Sequence, residues 1–171
     1  MHDLMNLPRG QERCTLFLMS TDPSPTSSII LREACAEDAS VVVHLIRQMA
    51  DEGEEQSPID EKYVRGYLSG ADRHILLAQT GERVNGLLSY SARADLFHAG
   101  NSILIEELVV DEGHRGQGLG ARLMDALFER AHAVQCKEVC LAVMPGNEGA
   151  IRFYKRHGLV EEALFLEKHF C

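Results

Sequence analysis

The residues best suited to chemistry lie in two stretches of the second half of the chain. The first runs Glu106-Glu107-Leu108-Val109-Val110-Asp111-Glu112-Gly113-His114-Arg115-Gly116-Gln117-Gly118-Leu119-Gly120. It reads as an apolar strand, a glycine-rich turn and the start of a helix. Glycines let a backbone approach a ligand closely. The free N–H groups and positive end of the following helix favour a phosphate or pyrophosphate. A plain strand-to-helix turn has a similar composition, so context decides. A Walker A loop ends in Gly-Lys-Ser/Thr, which Leu119-Gly120-Ala121 does not supply. A dinucleotide-binding fold puts its glycine loop after the first strand. Here it comes about two thirds along the chain.

Glu106 and Glu107 are the second feature of that stretch. A glutamate in a central strand needs a reason to be there. Adjacent strand residues face opposite ways unless a bulge intervenes. One carboxylate can act as a base, or pair with an internal Arg or His. The second stretch is Asn147 to Gly158. Asn147 has N-cap chemistry and Gly158 suits the residue after a helix. Phe153-Tyr154 between them forms an apolar helix face or supplies a phenol.

The elements that must position these groups alternate. Ile29–Arg32 reads as a strand. Ala39, Val42, Val43, Ile46, Met49 and Ala50 recur at helical spacing, with Cys35 as N-cap and Asp38 near the positive helix end. Asp51-Glu52-Gly53-Glu54-Glu55 is an acidic turn, and Asp60–Leu68 a second helix. Strands follow at His74–Gln79, Val84–Ser91 and Ser102–Val110, with turns at Thr80–Arg83 and Arg93–Asn101. A long helix runs from about Gly118 to Val134, striped by Leu119, Leu123, Ala126, Leu127 and Ala131. A strand at Glu138–Val143, the helix capped by Asn147 and a last strand at Val160–Glu167 complete the order. It describes an α/β fold in which an antiparallel meander feeds a βαβ unit.

Arg115-Gly116-Gln117-Gly118-Leu119-Gly120 resembles the Arg/Gln-x-x-Gly-x-Gly/Ala signature of the GNAT superfamily of acetyl-CoA-dependent N-acetyltransferases. Leu108-Val109-Val110 before it and Ala121-Arg122-Leu123-Met124 after it fit the same pattern. Asn147, Ala150, Phe153-Tyr154 and Gly158-Leu159 resemble that family's N-x-x-A-x-x-F-Y-x-x-x-G-F segment, with Leu159 in place of Phe. Ile105-Glu106-Glu107-Leu108-Val109-Val110 is similar to the acidic strand motif of diamine and polyamine acetyltransferases. The resemblance covers about residues 28–168. It implies a single-domain GNAT fold, with a mixed, largely antiparallel central sheet flanked by about four helices. Residues 1–27 are then a flexible N-terminal extension and 28–171 the N-acetyltransferase domain.

The resemblance also implies roles. Backbone groups of Leu108, Val109 and Val110 pair with the pantetheine arm of acetyl-CoA. Arg115, Gly116, Gln117, Gly118, Leu119, Gly120 and Ala121 hold its pyrophosphate, with Arg122 as a further cation, and Asn147 has two roles open to it, helix N-cap and polar contact to the cofactor. The reaction is amine attack on a thioester, which needs a base for the ammonium and an acid for the leaving thiolate. Tyr154 takes the acid role. Glu106 is the base through water and Glu107 lies near the amine, although the sequence leaves their order open. The expected acceptor is a small primary amine, drawn in by the acidic turn if cationic. Arg93 and His98 are the recognition candidates if it is anionic. Protein lysine or N-terminal acetylation, and a silent acyl-CoA-binding module, are the alternatives.

The remaining composition fits this reading. The chain has 171 residues with 17 Lys and Arg against 26 Asp and Glu, a net charge of −9. That balance argues against nucleic-acid partners, which need a basic face. Cys14, Cys35, Cys136, Cys140 and Cys171 lack zinc spacing and form no C-x-x-C pair, so no metal is expected. The early apolar run Leu16-Phe17-Leu18-Met19 is too short for a signal segment, and nothing approaches a membrane span. A cytoplasmic enzyme without a membrane partner is the expectation, with a homodimer left open.

Overall fold

The computed structural model describes residues 29–170, so the expected extension over 1–27 lies outside the described residues. Strand β1 (Ile29–Glu33) leads through a 3-10 turn at Ala36–Asp38 into α1 (Ala39–Glu52) and α2 (Glu61–Leu68). A meander of β2 (Arg73–Thr80), β3 (Arg83–Asp95) and β4 (Gly100–Val110) follows. Then come α3 (Leu119–Ala133), β5 (Glu138–Leu141) and α4 (Glu148–Arg156). The five strands lie in sequence order in one sheet. Every neighbouring pair is antiparallel except β4–β5. The α/β class and the mixed, largely antiparallel sheet with four helices match the expectation.

Both faces of the sheet are covered, which explains why its central strands carry consecutive apolar residues. On one face α1 and α2 bury Val42, Leu45 and Val64 against Ile75, Leu77, Leu87 and Val109. On the other, Leu119, Leu123 and Leu127 of α3 pack on Leu76, Leu88, Ile103 and Ile105, with Phe153 and Tyr154 of α4 beside them. Neighbours such as Leu76/Leu77 and Leu87/Leu88 thus serve opposite layers, as the strand period of two requires.

The pairing of β3 with β4 slips once. Ser89 lies opposite Glu107 and Tyr90 opposite Ile105, which leaves Glu106 as an extra residue in β4. The faces show the effect. Ile103 and Ile105 point to the α3 side, as do Leu108 and Val110, whereas Val109 joins the α1–α2 side. Parity therefore changes at the bulge.

Several expected boundaries move. Cys35 opens the 3-10 turn rather than α1, and Asp38 supplies the capping carboxylate, accepting from Cys35 N–H at 2.8 Å. Asp38 also takes a bidentate pair from Arg32 at 2.7 Å each. Burial opposes its charge, but these donors prevail and hold its pKa below the usual range. The turn expected at Arg93–Asn101 shrinks to residues 96–99, because Arg93, Ala94 and Asp95 pair with Ser102, Asn101 and Gly100. β5 stops at Leu141. The strand expected at Val160–Glu167 does not form. Glu161-Glu162 and Leu164-Phe165-Leu166 break strand alternation. Lys155 Nζ donates to Glu162 at 2.6 Å, tying the segment to α4. Leu164 and Leu166 are exposed.

Candidate active site

The site is built where the sheet opens. β5 pairs with β4 only from Ser102 to Ile105, through Glu138–Leu141. Glu106–Val110 continue β4 with β3 on one side and, among the described residues, no strand on the other. A strand edge of this kind offers main-chain hydrogen bonds to an extended ligand. The glycine turn follows it. Gly116 and Gly118 have φ of +73° and +84°, with nothing within 4 Å of where a Cβ would stand. Both conformations favour glycine. Gly118 is the N-cap of α3 and, lacking a side chain, leaves the first turn uncapped. The first intrahelical bond is Arg122 N–H to Gly118 C=O at 3.0 Å. The N–H groups of Leu119, Gly120 and Ala121 therefore point outward at the positive end of a fifteen-residue helix. An anion cradle with open glycine positions fits a pyrophosphate.

Helix α4 reaches the same place. The Phe153 ring lies 3.5 Å from where a Cβ on Gly120 would stand, with Val110 Cγ2 at 3.7 Å. Asn147 caps α4 by accepting from Ala150 N–H at 3.1 Å. Tyr154 packs edge-on to Phe153, with ring centroids 5.3 Å apart. Burial pushes its phenol pKa up, so it stays protonated at neutral pH.

Arg115 is engaged elsewhere. Its Nη2 donates to both carboxylate oxygens of Glu52, one at 2.6 Å, and its Nε to Val110 C=O at 3.2 Å. It joins the end of α1 to the end of β4. Arg93 and His98 sit at the far hairpin, bonded to Ser102 at 3.1 Å and Asp95 at 2.9 Å.

The bulge brings both glutamates to the α1–α2 face. Ser91 Oγ donates to Glu106 at 2.8 Å, and Ser89 Oγ donates to Glu107. Ser89 and Ser91 are two apart on β3 and so share a face. Glu107 N–H returns a bond to Ser89 Oγ at 3.1 Å. Burial is the main cause of the raised Glu107 pKa, opposed by the Ser89 hydroxyl and assisted by the charge of Glu106. Glu106 is exposed.

Glu107 and Ser89 form the polar end of a cavity of about 100 Å³, walled by Val42, Ile46, Ile59, Tyr63 and Tyr67. A larger cavity of about 310 Å³ lies between β1 and α3, lined by Ile29, Leu31, Arg122 and Arg130. It holds none of the groups named above except Arg122. The sequence pointed to Glu106, Glu107, Tyr154 and the glycine turn. It gave no sign of Ser89, Ser91, Tyr63 or Tyr67, whose part depends on register and on how α2 packs.

The acetyltransferase (GNAT) family model matches residues 40–159. The chain belongs to the GNAT acetyltransferase family. It is an acyltransferase of a family that uses acetyl-CoA as co-substrate. Over 143 residues it is 27% identical to a thialysine N-epsilon-acetyltransferase of Sus scrofa, covering 77% of this chain and 84% of that one. A spermine/spermidine N(1)-acetyltransferase of Bacillus subtilis (strain 168) is 33% identical over 57 residues, covering 33% of this chain and 38% of that one. Among solved structures, a transcriptional regulator from Bacillus halodurans C-125 superposes with a TM-score of 0.75. It is 25% identical and covers 84% of this chain and 100% of its own. Among the described residues no helix is long and apolar enough to cross a membrane.

Proposed function

We propose that this enzyme transfers the acetyl group of acetyl-CoA to a primary amine of a small molecule by direct attack. One observation carries the reading. Glu107 belongs both to the acceptor-sized cavity and to the half of β4 whose outer edge is free. A cofactor arm laid along Glu106–Val110 meets an amine lodged in that cavity. The likeness to enzymes named for thialysine and for spermine and spermidine supports an amine on a short aliphatic stem.

Acetyl-CoA supplies the thioester carbonyl. The outward N–H groups of Leu119, Gly120 and Ala121 hold the pyrophosphate, and the free edge of Leu108, Val109 and Val110 orients the arm. Glu107 holds the acceptor from within the cavity. Glu106, one residue closer to the paired part of β4 and open to solvent, takes the ammonium proton through water. Tyr154 keeps its proton until a thiolate needs it. Its phenol is a suitable acid because ordinary phenols and thiols have comparable basicity.

The test is thiol release from acetyl-CoA with a panel of amines, beside calorimetric titration of acetyl-CoA alone. Release with small amines supports the reading. Binding of acetyl-CoA without release to any amine overturns the small-amine part and leaves a protein acceptor or a silent acyl-CoA-binding module.

A further inference from the structure

The Tyr67 hydroxyl is buried with no hydrogen-bond partner, one of two such side-chain groups among the described residues. The other, Thr80, stands at the β2–β3 turn. A buried hydroxyl without a partner is costly, and such a group asks for an explanation. Tyr67 lines the cavity that Glu107 closes. Arg73 lies over its ring, 5.5 Å from the centroid, and helps to hold it in place. Burial lifts the phenol pKa to about 12, and the charges of Glu107 and Glu106 contribute in the same direction. Both groups therefore border one small space. Yet Glu107 takes its side-chain bond from Ser89, and Tyr67 takes none.

We infer that Tyr67 and Glu107 form a subsite for a second, non-reacting ammonium of the acceptor, with Tyr67 the residue that selects for it. An ammonium carries three donors and can bridge a carboxylate and a phenol oxygen that do not reach each other. The walls Val42, Ile46, Ile59 and Val64 suit a methylene stem. Among the described residues no Lys, Arg or His lines the cavity, so a carboxylate or phosphate has no cationic partner there. Glu106 adjoins Glu107, with Cα atoms about 3.8 Å apart across a trans peptide. The anchored cation and the reacting nitrogen are therefore only a short chain apart. Preferred acceptors are short α,ω-diamines over monoamines of equal length. This rests on the acetyl-transfer reading above.

The experiment compares 1,4-diaminobutane with n-butylamine in wild type and Tyr67→Phe. The ratio of their kcat/KM values should fall about 10- to 100-fold in the variant, the range for losing a hydrogen bond to a charged group. Tm should hold or rise, because the lost hydroxyl had no partner. An unchanged ratio overturns the inference. So does a lower Tm with equal losses for both amines, which would give Tyr67 a purely structural role. Wild-type enzyme that releases thiol with neither amine defeats the small-amine reading instead. The subsite is then decided by calorimetry with 1,4-diaminobutane alone. Binding to wild type that weakens about tenfold or more in Tyr67→Phe upholds it, and no binding to wild type overturns it.

Discussion

Tyr154 and Glu107 are both pushed towards their neutral forms by burial. Neutrality suits a proton donor and makes a carboxylate sensitive to its surroundings. Tyr154→Phe should lower turnover about 10²- to 10⁴-fold, the usual range for a positioned acid or base. Acetyl-CoA affinity, measured by calorimetry, should change little, since only a hydroxyl goes. Glu107 makes a different prediction. Its folded pKa lies above its unfolded one. The stabilisation this gives is fully present below the unfolded pKa and is lost as pH rises through the folded pKa. Glu107→Gln removes that loss. The Tm of the variant minus that of wild type should therefore be larger near pH 7 than near pH 4. A difference that ignores pH would show the carboxyl to be well solvated.

At the scale of elements, α3 has two separable ends. Its N-terminus is the proposed pyrophosphate cradle. Gly118→Glu should abolish acetyl-CoA binding in calorimetry, because it sets a bulky anion in that cradle. Gly118→Ala should leave the amides in place and cost about 1–2 kcal/mol in denaturant unfolding, through its left-handed backbone. The body of the helix is core. Leu123 is fully buried, and Leu123→Ala should cost about 2–5 kcal/mol. Much of this was legible in the sequence because it is local. Gly116 and Gly118, the Asn147 cap and the leucine stripe each announce themselves within one turn of chain. The bulge at Glu106 did not, because it exists only relative to Ser89 and Tyr90 on another strand. Tyr67 did not either, since on a short amphipathic helix it looks like any half-buried aromatic. Val160–Glu167, expected as the last strand, lacks the alternation that a half-buried strand needs.

Across the whole molecule, a charge of −9 biases what approaches. Asp51, Glu54 and Glu55 stand exposed at the end of α1, while Glu52 is neutralised by Arg115. The steering expected from that turn is thus carried by three carboxylates. Screening at ordinary salt limits their reach to about 10 Å. For a dicationic acceptor, kcat/KM should fall as salt rises from about 0.05 to 0.5 M, more steeply than for a monoamine. Equal slopes would show that the field plays no part.

The extra residue in β4 has an evolutionary reading. Without Glu106, Ile105 would be followed by Glu107, Leu108, Val109 and Val110 in unbroken alternation, each still on the face it now occupies. A single-codon insertion into an ordinary strand is therefore enough to add a carboxylate beside an existing one without disturbing either core layer. The reverse edit, deleting Glu106, should yield a folded protein that keeps Glu107 in its cavity and has lost only the neighbour.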